Sequence, residues 1–406
     1  MATGSPLLVD CEDVAWFRDQ PEAVRGAAAA LGRRIGLGDQ RTAELALAVA
    51  ELATNMTKHA VDASVVLRVL RNQTVAGVEV LALDGGPGMA DVPAALRDGM
   101  STAGTLGIGL GAVGRLADSF DIHSQPGTGT VHLARFWPRP VHPSVVGEPV
   151  VGGITRPISG EQVCGDAWAV RPDTGTPSPT SHEETPRPHR PSPAAPDWAA
   201  LTGTRSSSER TRTAFPSTDL PPRSGTSTRS IPVRAAVPGA GQGVLVMSCD
   251  GLGHGPMAAV AAQAAVQAFR TGSARTPEQA MEQVHRALRG TRGAAVAVAR
   301  LEPDGRVLFC GVGNISAALV TPTARTSLLS HPGIVGHQMR QLRTYEHRLS
   351  AHGILVMHSD GLSERWKAAD VAGLLPHPPA VIAAGLLRHA GTRRDDASAV
   401  IAKAAW

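Results

Sequence analysis

The sequence has few aromatic residues, few cysteines and no long apolar run. Aromatics make up 3% of its 406 residues, so its cores must be built mainly from aliphatic side chains. The four cysteines (Cys11, Cys164, Cys249 and Cys310) have no CxxC spacing, which argues against a disulfide framework and a zinc site. No apolar stretch approaches the roughly eighteen residues of a membrane span, and no basic-then-apolar leader begins the chain. We therefore expect a cytoplasmic protein with reduced thiols and no membrane contact.

The positive charge is concentrated in one biased segment. The formal net charge is +4, and residues 171–240 carry nine Arg against six Asp and Glu, which accounts for +3 of it. The same segment holds thirteen of the 31 prolines together with many Ser and Thr, and it has neither helical nor strand periodicity. We expect residues 171–240 to be a disordered insertion, and we expect no nucleic-acid partner, since no folded basic patch is present.

The length suits two domains rather than one core. Four prolines punctuate residues 138–150, which predicts a linker between a first domain at 1–137 and a second at 151–406. In the first domain, an apolar stripe predicts a helix at 40–59, and residues 75–83 are typical of a strand ending at Asp84. The second domain has an Ala-rich stretch typical of a helix at 256–270. Its apolar β-type runs lie at 243–249, 294–301, 306–312 and 353–358. This mixture favours an α+β fold.

Chemically suited side chains share one face of the 40–59 helix. Glu51 and Asn55 are four residues apart, and Lys58 or His59 follows on the same face. The Glu carboxylate is suited to orienting or deprotonating a hydroxyl, and the Asn oxygen is suited to binding Mg²⁺ on nucleotide phosphates. Taken alone, this face is better explained as an ordinary solvated helix surface.

Three glycine-rich segments follow that helix in order. Residues 84–89 (DGGPGM) come after a strand, residues 104–111 (GTLGIGLG) precede a helix, and residues 127–130 read GTGT. Glycines let backbone approach a ring, and N–H groups at a helix start can bind phosphates. Residues 109–114 also match the dinucleotide fingerprint GxGxxG, but they lack the preceding strand and the acid about twenty positions later. We therefore favour an ATP site over a dinucleotide site.

Residues 51–55 (ELATN), 84–88 (DGGPG) and 107–111 (GIGLG) resemble, in this order, the N, G1 and G2 boxes of the GHKL ATPases. Residues 96–111, continuing to Arg115, are similar to the RsbT-like anti-sigma-factor serine kinases within that group. The resemblance implies an ATP- and Mg²⁺-dependent domain with a mobile lid at 98–111, which phosphorylates Ser or Thr on a small antagonist protein. It assigns Glu51 as catalytic base and Asn55 as Mg²⁺ ligand, with nucleotide contacts from Asp84, Gly86, Gly88, Gly107, Gly109, Gly111 and Thr130.

The second domain carries isolated aspartates beside apolar runs or glycines. They are Asp166, Asp250, Asp360 and the pair Asp395 and Asp396. Carboxylates that converge from strand ends suit Mg²⁺ or Mn²⁺, and two such ions can activate water for attack on phosphorus. A single Asp-Gly after a strand is better explained as a hairpin turn, so the hypothesis depends on the whole set.

The aspartates lie in five ordered motifs, which resemble the PPM-type phosphatases of the SpoIIE and RsbX branch. The motifs are 161–166 (EQVCGD), 250–255 (DGLGHG), 311–314 (GVGN), 359–364 (SDGLSE) and 394–398 (RDDAS). The resemblance implies a protein-serine/threonine phosphatase with two Mn²⁺ or Mg²⁺ ions. It implies metal ligands at Asp166, Asp250, Asp360 and Asp395, with the Gly251 carbonyl. Between Asp395 and Asp396 the alternatives stay open, with Asp395 preferred, and His254 has no assigned role.

These expectations describe a GHKL (Bergerat) α/β sandwich followed by a PPM-type αββα sandwich that contains the insertion. The expected function is that of a bifunctional partner-switching regulator, which phosphorylates and dephosphorylates antagonist or stressosome-like scaffold proteins. One alternative is a phosphatase gated by an ATP-sensing, partner-sequestering domain without kinase activity. A weaker alternative makes the phosphatase domain a scaffold. The oligomeric state is left open.

Overall fold

The computed structural model describes residues 6–18, 21–96, 109–173, 243–339 and 341–403. The predicted insertion at 171–240 lies outside these ranges apart from its first three residues. Those residues differ from the prediction, because Arg171 and Pro172 complete a strand, Asp166–Pro172, that pairs with its neighbour along its whole length. Hydrogen bonding to an adjacent strand therefore outweighs the local proline-rich composition at this boundary.

A five-stranded antiparallel sheet forms the first domain, with the strand order β1-β2-β3-β5-β4. The strands are β1 (Asp10–Phe17), β2 (Ser64–Arg71), β3 (Ala76–Asp84), β4 (Ser119–Gln125) and β5 (Gly129–Phe136). The helices are α1 (Pro21–Arg34), α2 (Asp39–His59), the single turn α3 (Val92–Ala95) and α4 (Gly109–Leu116). The predicted helix at 40–59 and the predicted strand at 75–83 are thus confirmed within one residue at each end.

Helix α2 packs on one face of this sheet through its apolar stripe. Leu45, Val49, Leu52 and Met56 recur at helical spacing and are all buried. They share a core with α1 and with the sheet side chains that face them. Burial of this stripe fixes the rotation of α2, and so determines where Glu51 and Asn55 lie.

The second domain consists of two sheets packed face to face. The larger sheet has the order β13-β10-β9-β8-β7, with β14 added to β10, and the smaller sheet has the order β12-β11-β15-β16-β6. The strands are β6 (Val151–Arg156), β7 (Asp166–Pro172), β8 (Val244–Gly251), β9 (Ala294–Leu301), β10 (Arg306–Val312), β11 (Ser316–Val320), β12 (Arg325–Leu328), β13 (Ser330–His331), β14 (Tyr345–Arg348), β15 (Ile354–His358) and β16 (Ala397–Lys403). The predicted β runs of this domain are confirmed.

Helices cover both outer faces of the two sheets. They are α5 (Pro256–Thr271), α6 (Pro277–Leu288), the short α7 (Ala368–Val371) and α8 (Pro379–Ala390). An apolar core joins the two sheets, and a second core joins the larger sheet to α5 and α6. The result is the predicted αββα layering.

Helix α8 lies between the two domains. Its buried side chains form one continuous core with the smaller sheet of the second domain and with the outer face of the first-domain sheet. The first-domain members of that core are Val66, Leu81, Leu83, Val131 and Leu133. Almost every residue of α8 is buried, which explains why its sequence is apolar on all sides.

A buried ionic network also joins the domains. Arg68, 1% exposed, donates to Asp13 Oδ1 at 2.5 Å, to Glu79 Oε1 at 2.6 Å and to the carbonyl of Gly153 in β6. The other oxygen of Asp13 accepts from the backbone N–H and hydroxyl of Thr155, at 2.6 and 2.7 Å. Because Arg68 and Asp13 each have partners on both domains, the network fixes the relative orientation of the domains.

The segment predicted as a linker, 138–150, is packed against the first domain. Val145 is buried with Val9, Leu70 and Trp137, and the N–H of Val150 donates to the carbonyl of Leu7. The four cysteines are free thiols. In the part of the chain that the structure describes, no helix has the length and apolar character needed to cross a membrane.

Candidate functional sites

The first candidate site begins on α2. Glu51 and Asn55 lie one turn apart and are both partly buried, on the side of the helix next to its apolar stripe. The amide nitrogen Nδ2 of Asn55 is buried, and no described residue accepts a hydrogen bond from it. A buried amide without a protein partner fits a position where a ligand completes the hydrogen bonding.

Asp84 forms the floor of this site at the end of β3. Its Oδ1 accepts from the backbone N–H of Gly86 at 2.8 Å, and it lies opposite Thr130 across β3 and β5. Burial raises the pKa of Asp84, and the Gly86 N–H partly offsets that rise. The Thr130 hydroxyl lies 2.9 Å from that of Ser124. The carboxylate is therefore held in a defined orientation beside a hydroxyl pair, as recognition of an adenine amino group would require.

The glycines around Asp84 are required by close backbone approach. A Cβ on Gly86 would lie 2.8 Å from Asp84 Oδ1 and 2.9 Å from the carbonyl of His59. Gly88 has φ +69°, and a Cβ there would collide with the carbonyl of Gln125. These two positions admit no side chain without rebuilding the site.

The structure describes only the C-terminal end of the glycine-rich segment that is predicted to face the phosphates. Gly109, with φ +72°, begins α4, and Gly111 lies in the first turn of that helix. Backbone N–H groups at this helix start are available to an anion. Gly107, and the predicted lid at 98–111 apart from its last three residues, lie outside the described residues.

The second candidate site is centred on two facing carboxylates. Asp166 begins β7, Asp250 lies near the end of β8, and the two residues are direct partners across these antiparallel strands. Burial, together with the charges of neighbouring aspartates, raises the pKa of both. Asp166 Oδ2 is buried and accepts no hydrogen bond from any described residue. A buried acid with an unpaired oxygen, facing a half-buried acid, has the donor chemistry of a site for hard cations.

Asp360 and Asp395 complete this cluster from the smaller sheet. Asp360 follows β15, and its Oδ2 accepts from Asn314 Nδ2 at 2.7 Å. Burial and the charge of Asp395 raise the pKa of Asp360, while the Asn314 hydrogen bond lowers it. The charges of Asp360 and Asp395 both act on Asp250. The four predicted ligands therefore share one electrostatic environment at one end of the two sheets.

Asp396 has a different environment from its neighbour. Its Oδ1 accepts from the N–H of Ile158 and its Oδ2 from the N–H of Gly165, both at 2.7 Å. Both carboxylate oxygens therefore hold the loop that leads into Asp166. The choice of Asp395 rather than Asp396 as ligand stays a prediction, and this division of partners favours it.

The remaining motif residues shape the loops of the second site. Gly251 donates its N–H to the carbonyl of Gly165 at 3.0 Å, and a Cβ on Gly251 would collide with the carbonyl of Ala258. The ring of His254 lies 3.5 Å from Glu161 Oε1, so two motifs meet there. Among the described residues, no three His, Cys, Asp or Glu side chains already converge on one point as metal ligands.

One residue of consequence was missed by sequence reasoning. Arg388, on α8, donates to the carbonyl of Asp84 at 3.0 Å and to that of Thr128. It therefore connects the second domain to the floor of the nucleotide site. A lone arginine in an otherwise apolar helix was a signal, but its partners lie about 260 to 300 residues away in sequence and could not be inferred.

Comparison with known proteins agrees with the two sites. Residues 18–135 match the family model of the histidine kinase-like ATPase domain, and residues 240–404 match that of stage II sporulation protein E (SpoIIE). The serine/threonine-protein kinase RsbT of Bacillus subtilis (strain 168) is 36% identical over 117 residues, which is 28% of this chain and 88% of RsbT. The chain belongs, through its N-terminal domain, to the RsbT family.

Two solved structures are similar to parts of this chain. The PP2C phosphatase domain of SpoIIE from Bacillus subtilis, with a fragment of its regulatory domain, has a TM-score of 0.40 at 12% identity, covering 80% of this chain and 78% of that one. RsbX in complex with magnesium has a TM-score of 0.39 at 14% identity, covering 62% and 92%. Since these scores are low, the assignment rests on the family models. The chain is an RsbT-like kinase domain fused to a SpoIIE-type protein phosphatase domain.

Proposed function

We propose that this protein is a bifunctional partner-switching regulator whose RsbT-like domain phosphorylates, and whose SpoIIE-type domain dephosphorylates, Ser or Thr on antagonist or stressosome-type proteins. The observation that carries the phosphatase half is the facing pair of the buried Asp166 and the half-buried Asp250, both with raised pKa values. Two acids placed together at such electrostatic cost require a function that uses them. The similarity to RsbT supports the kinase half and the class of partner.

In the second domain, we propose that Asp166, Asp250, Asp360 and Asp395, with the Gly251 carbonyl, hold two Mg²⁺ or Mn²⁺ ions. These ions, when bound, would supply Lewis-acid activation of phosphate and water. Asn314 orients Asp360, and Asp396 holds the loop before Asp166. Ion binding would have to draw the carboxylates together, which fits the unpaired Asp166 oxygen.

Release of phosphate from a phosphoserine protein tests the phosphatase. We expect release by the full chain with Mn²⁺ or Mg²⁺, none with EDTA, and loss with Asp250→Asn. Asp304→Asn, which removes an exposed turn carboxylate in the same domain, is the matched control and should retain activity. No release with either ion would contradict the assignment, and full activity of Asp250→Asn would contradict the ligand set.

In the first domain, we propose that Asp84 contacts adenine, Asn55 holds Mg²⁺ on the phosphates and Glu51 acts as the catalytic base. Labelled ATP with a candidate antagonist tests this, since transfer should be abolished by Glu51→Ala. Thr54→Ala, exposed on the same helix, should transfer normally. Transfer that survives Glu51→Ala would refute the role of that carboxylate.

A second candidate function, nucleotide gating of the phosphatase, is favoured by Arg388. Its bonds to the carbonyls of Asp84 and Thr128 connect the adenine floor to α8, and α8 is followed within five residues by Asp395. A nucleotide that shifts Asp84 would therefore also shift the loop that carries the predicted metal ligand Asp395.

Gating can be separated from kinase activity in the Glu51→Ala background. There, ADP or a non-hydrolysable ATP analogue should still change the phosphatase rate if gating operates, and Arg388→Ala should remove that response. A rate that is the same with and without nucleotide would exclude gating. A response that persists in Arg388→Ala would exclude this route.

A further inference from the structure

An arginine-lined cavity of about 100 Å³ lies between the two domains. The first domain contributes the end of β1, the start of β2 and the end of β3. The second contributes the end of β6, the C-terminal turn of α8 and the loop that follows. The charged residues that line it are Arg18, Asp62, Arg156, Arg388 and Arg393. We call this space the interdomain cleft.

The charge of the interdomain cleft is strongly positive. Four of its lining residues are arginines, and among the described residues that line it Asp62 is the one acid. The side chains that face the cleft therefore carry a formal charge of four minus one, or +3. Asp62 pairs with Arg393, and both side chains are more than half exposed, so that pair neutralises little of the inner charge.

The inner arginines are held in place by main-chain carbonyls. Arg18 donates to the carbonyl of Pro157 at 3.1 Å, Arg156 donates to that of Thr392, and Arg388 donates to that of Asp84. The carbonyl of Thr392 positions Arg156 without neutralising its charge, whereas the carboxylate of Asp84 also acts on Arg388. Burial and the positive charges of Arg18 and Arg393 lower the pKa of Arg156. Like charges are thus gathered in a partly desolvated space, which favours entry of an anion.

We propose that the interdomain cleft is a binding site for a single phosphate group, either free orthophosphate or the phosphoryl group of a phosphoserine side chain. The planar guanidinium fork matches phosphate oxygens in bidentate geometry, and a dianion would offset most of the +3 charge. The volume is several times the roughly 10 to 15 Å³ that one water molecule needs by the same measure, so the cleft has room for a tetrahedral oxyanion.

A phosphate bound here would join the two domains at a sensitive place. Arg156 holds Thr392, three residues before the predicted ligand Asp395, and Arg388 holds the floor of the nucleotide site. Phosphate binding in the cleft would therefore couple the relative orientation of the two domains to the phosphate concentration or to the phosphorylation state of a partner. This inference does not depend on whether the first domain transfers phosphate.

Calorimetric titration of the full-length protein with sodium orthophosphate tests the proposal. Ionic strength is held constant with NaCl, and nucleotide is omitted. EDTA is present so that the aspartate cluster holds no cations. We expect saturable binding, weakened at least ten-fold by Arg156→Gln and by Arg393→Gln. Arg393 is 62% exposed, so its replacement should not disturb folding. Arg33→Gln, the same charge change on the exposed side of α1, should bind as the wild type.

A second arm identifies the source of the phosphate group. A phosphoserine peptide that displaces orthophosphate, while its unphosphorylated form does not, would indicate a phosphoprotein ligand. Orthophosphate binding that no phosphopeptide displaces would indicate the free ion. Absence of saturable binding would overturn the proposal, and so would affinity that is unchanged in both Arg156→Gln and Arg393→Gln. Phosphatase activity with Mn²⁺ is measured in parallel, so failure of the cleft proposal is distinguishable from failure of the proposed function.

Discussion

Removal of one predicted metal ligand should make the metal-free protein more stable while abolishing its activity. Asp250 lies against Asp166 across β7 and β8, and burial plus the charges of Asp166, Asp360 and Asp395 raise its pKa. The same carboxyl has a pKa of about 3.9 in the unfolded chain, so Asp250 ionises at a lower pH when the protein is unfolded than when it is folded. Asp250→Asn removes that conflict and preserves the shape of the side chain.

The magnitude follows from the linkage between pKa and stability. Burial and the neighbouring aspartates raise the pKa of Asp250 to about 9. At pH 8 in EDTA the folded carboxyl therefore stays protonated while the unfolded one is ionised, and about four pH units at about 1.36 kcal/mol each give about 5 kcal/mol as the gain for Asp250→Asn. Because the folded-state pKa is the higher one, the cost to the wild type is absent below about pH 4 and grows as the pH rises toward that pKa. The advantage of the variant should therefore shrink to about 1.5 kcal/mol at pH 5.

Urea denaturation followed by tryptophan fluorescence provides the assay. In EDTA at pH 8, Asp250→Asn should unfold at higher urea than the wild type, and Asp304→Asn should match the wild type. Added Mn²⁺ should narrow the gap between the two proteins, since an ion at a hundred times its dissociation constant stabilises the wild type by about 2.7 kcal/mol and leaves the variant unchanged. A less stable metal-free Asp250→Asn, or equal stabilisation of both proteins by Mn²⁺, would refute the reasoning.

Three further predictions concern the first domain and its interface. Arg68→Met should cost about 3 to 5 kcal/mol in denaturant, because Asp13 and Glu79 are left buried without their partner, whereas wild-type stability in this variant would contradict the network. Burial lowers the pKa of His132 to about 4. Acidification from pH 7 to 5 should therefore destabilise the wild type by about 2 kcal/mol relative to His132→Leu, measured by urea midpoints, and an unchanged difference would exclude the effect. Gly86→Ala should weaken ATP binding at least ten-fold in calorimetry, since its Cβ would press on Asp84 Oδ1, and normal affinity would show that this carboxylate is not used.

The local elements were largely predictable from sequence, because their signals are local. The apolar stripe of α2 and the β-type runs of the second domain each predict a type of element and the side chains that it buries. The structure contains both the helix and these strands. The ordered glycine and aspartate motifs likewise predicted the two domain families, which the family models confirm, while the individual site residues stay predictions. The start of the insertion was placed too early, because pairing of Arg171 and Pro172 with β8 outweighs composition.

The sequence by itself determined two catalytic motif sets and their order along the chain. Only the tertiary structure decided how they are joined: α8 lies between the two domains, Arg388 reaches the carbonyl of Asp84, and four arginines from distant segments line one cleft. It also showed that Asp396 accepts hydrogen bonds from the backbone of Ile158 and Gly165, which favours its neighbour Asp395 as the predicted ligand. The physical reason is the same in each case. Contacts between segments hundreds of residues apart depend on packing and on desolvation of charge. Neither produces a periodic pattern in the sequence from which the contact could be predicted.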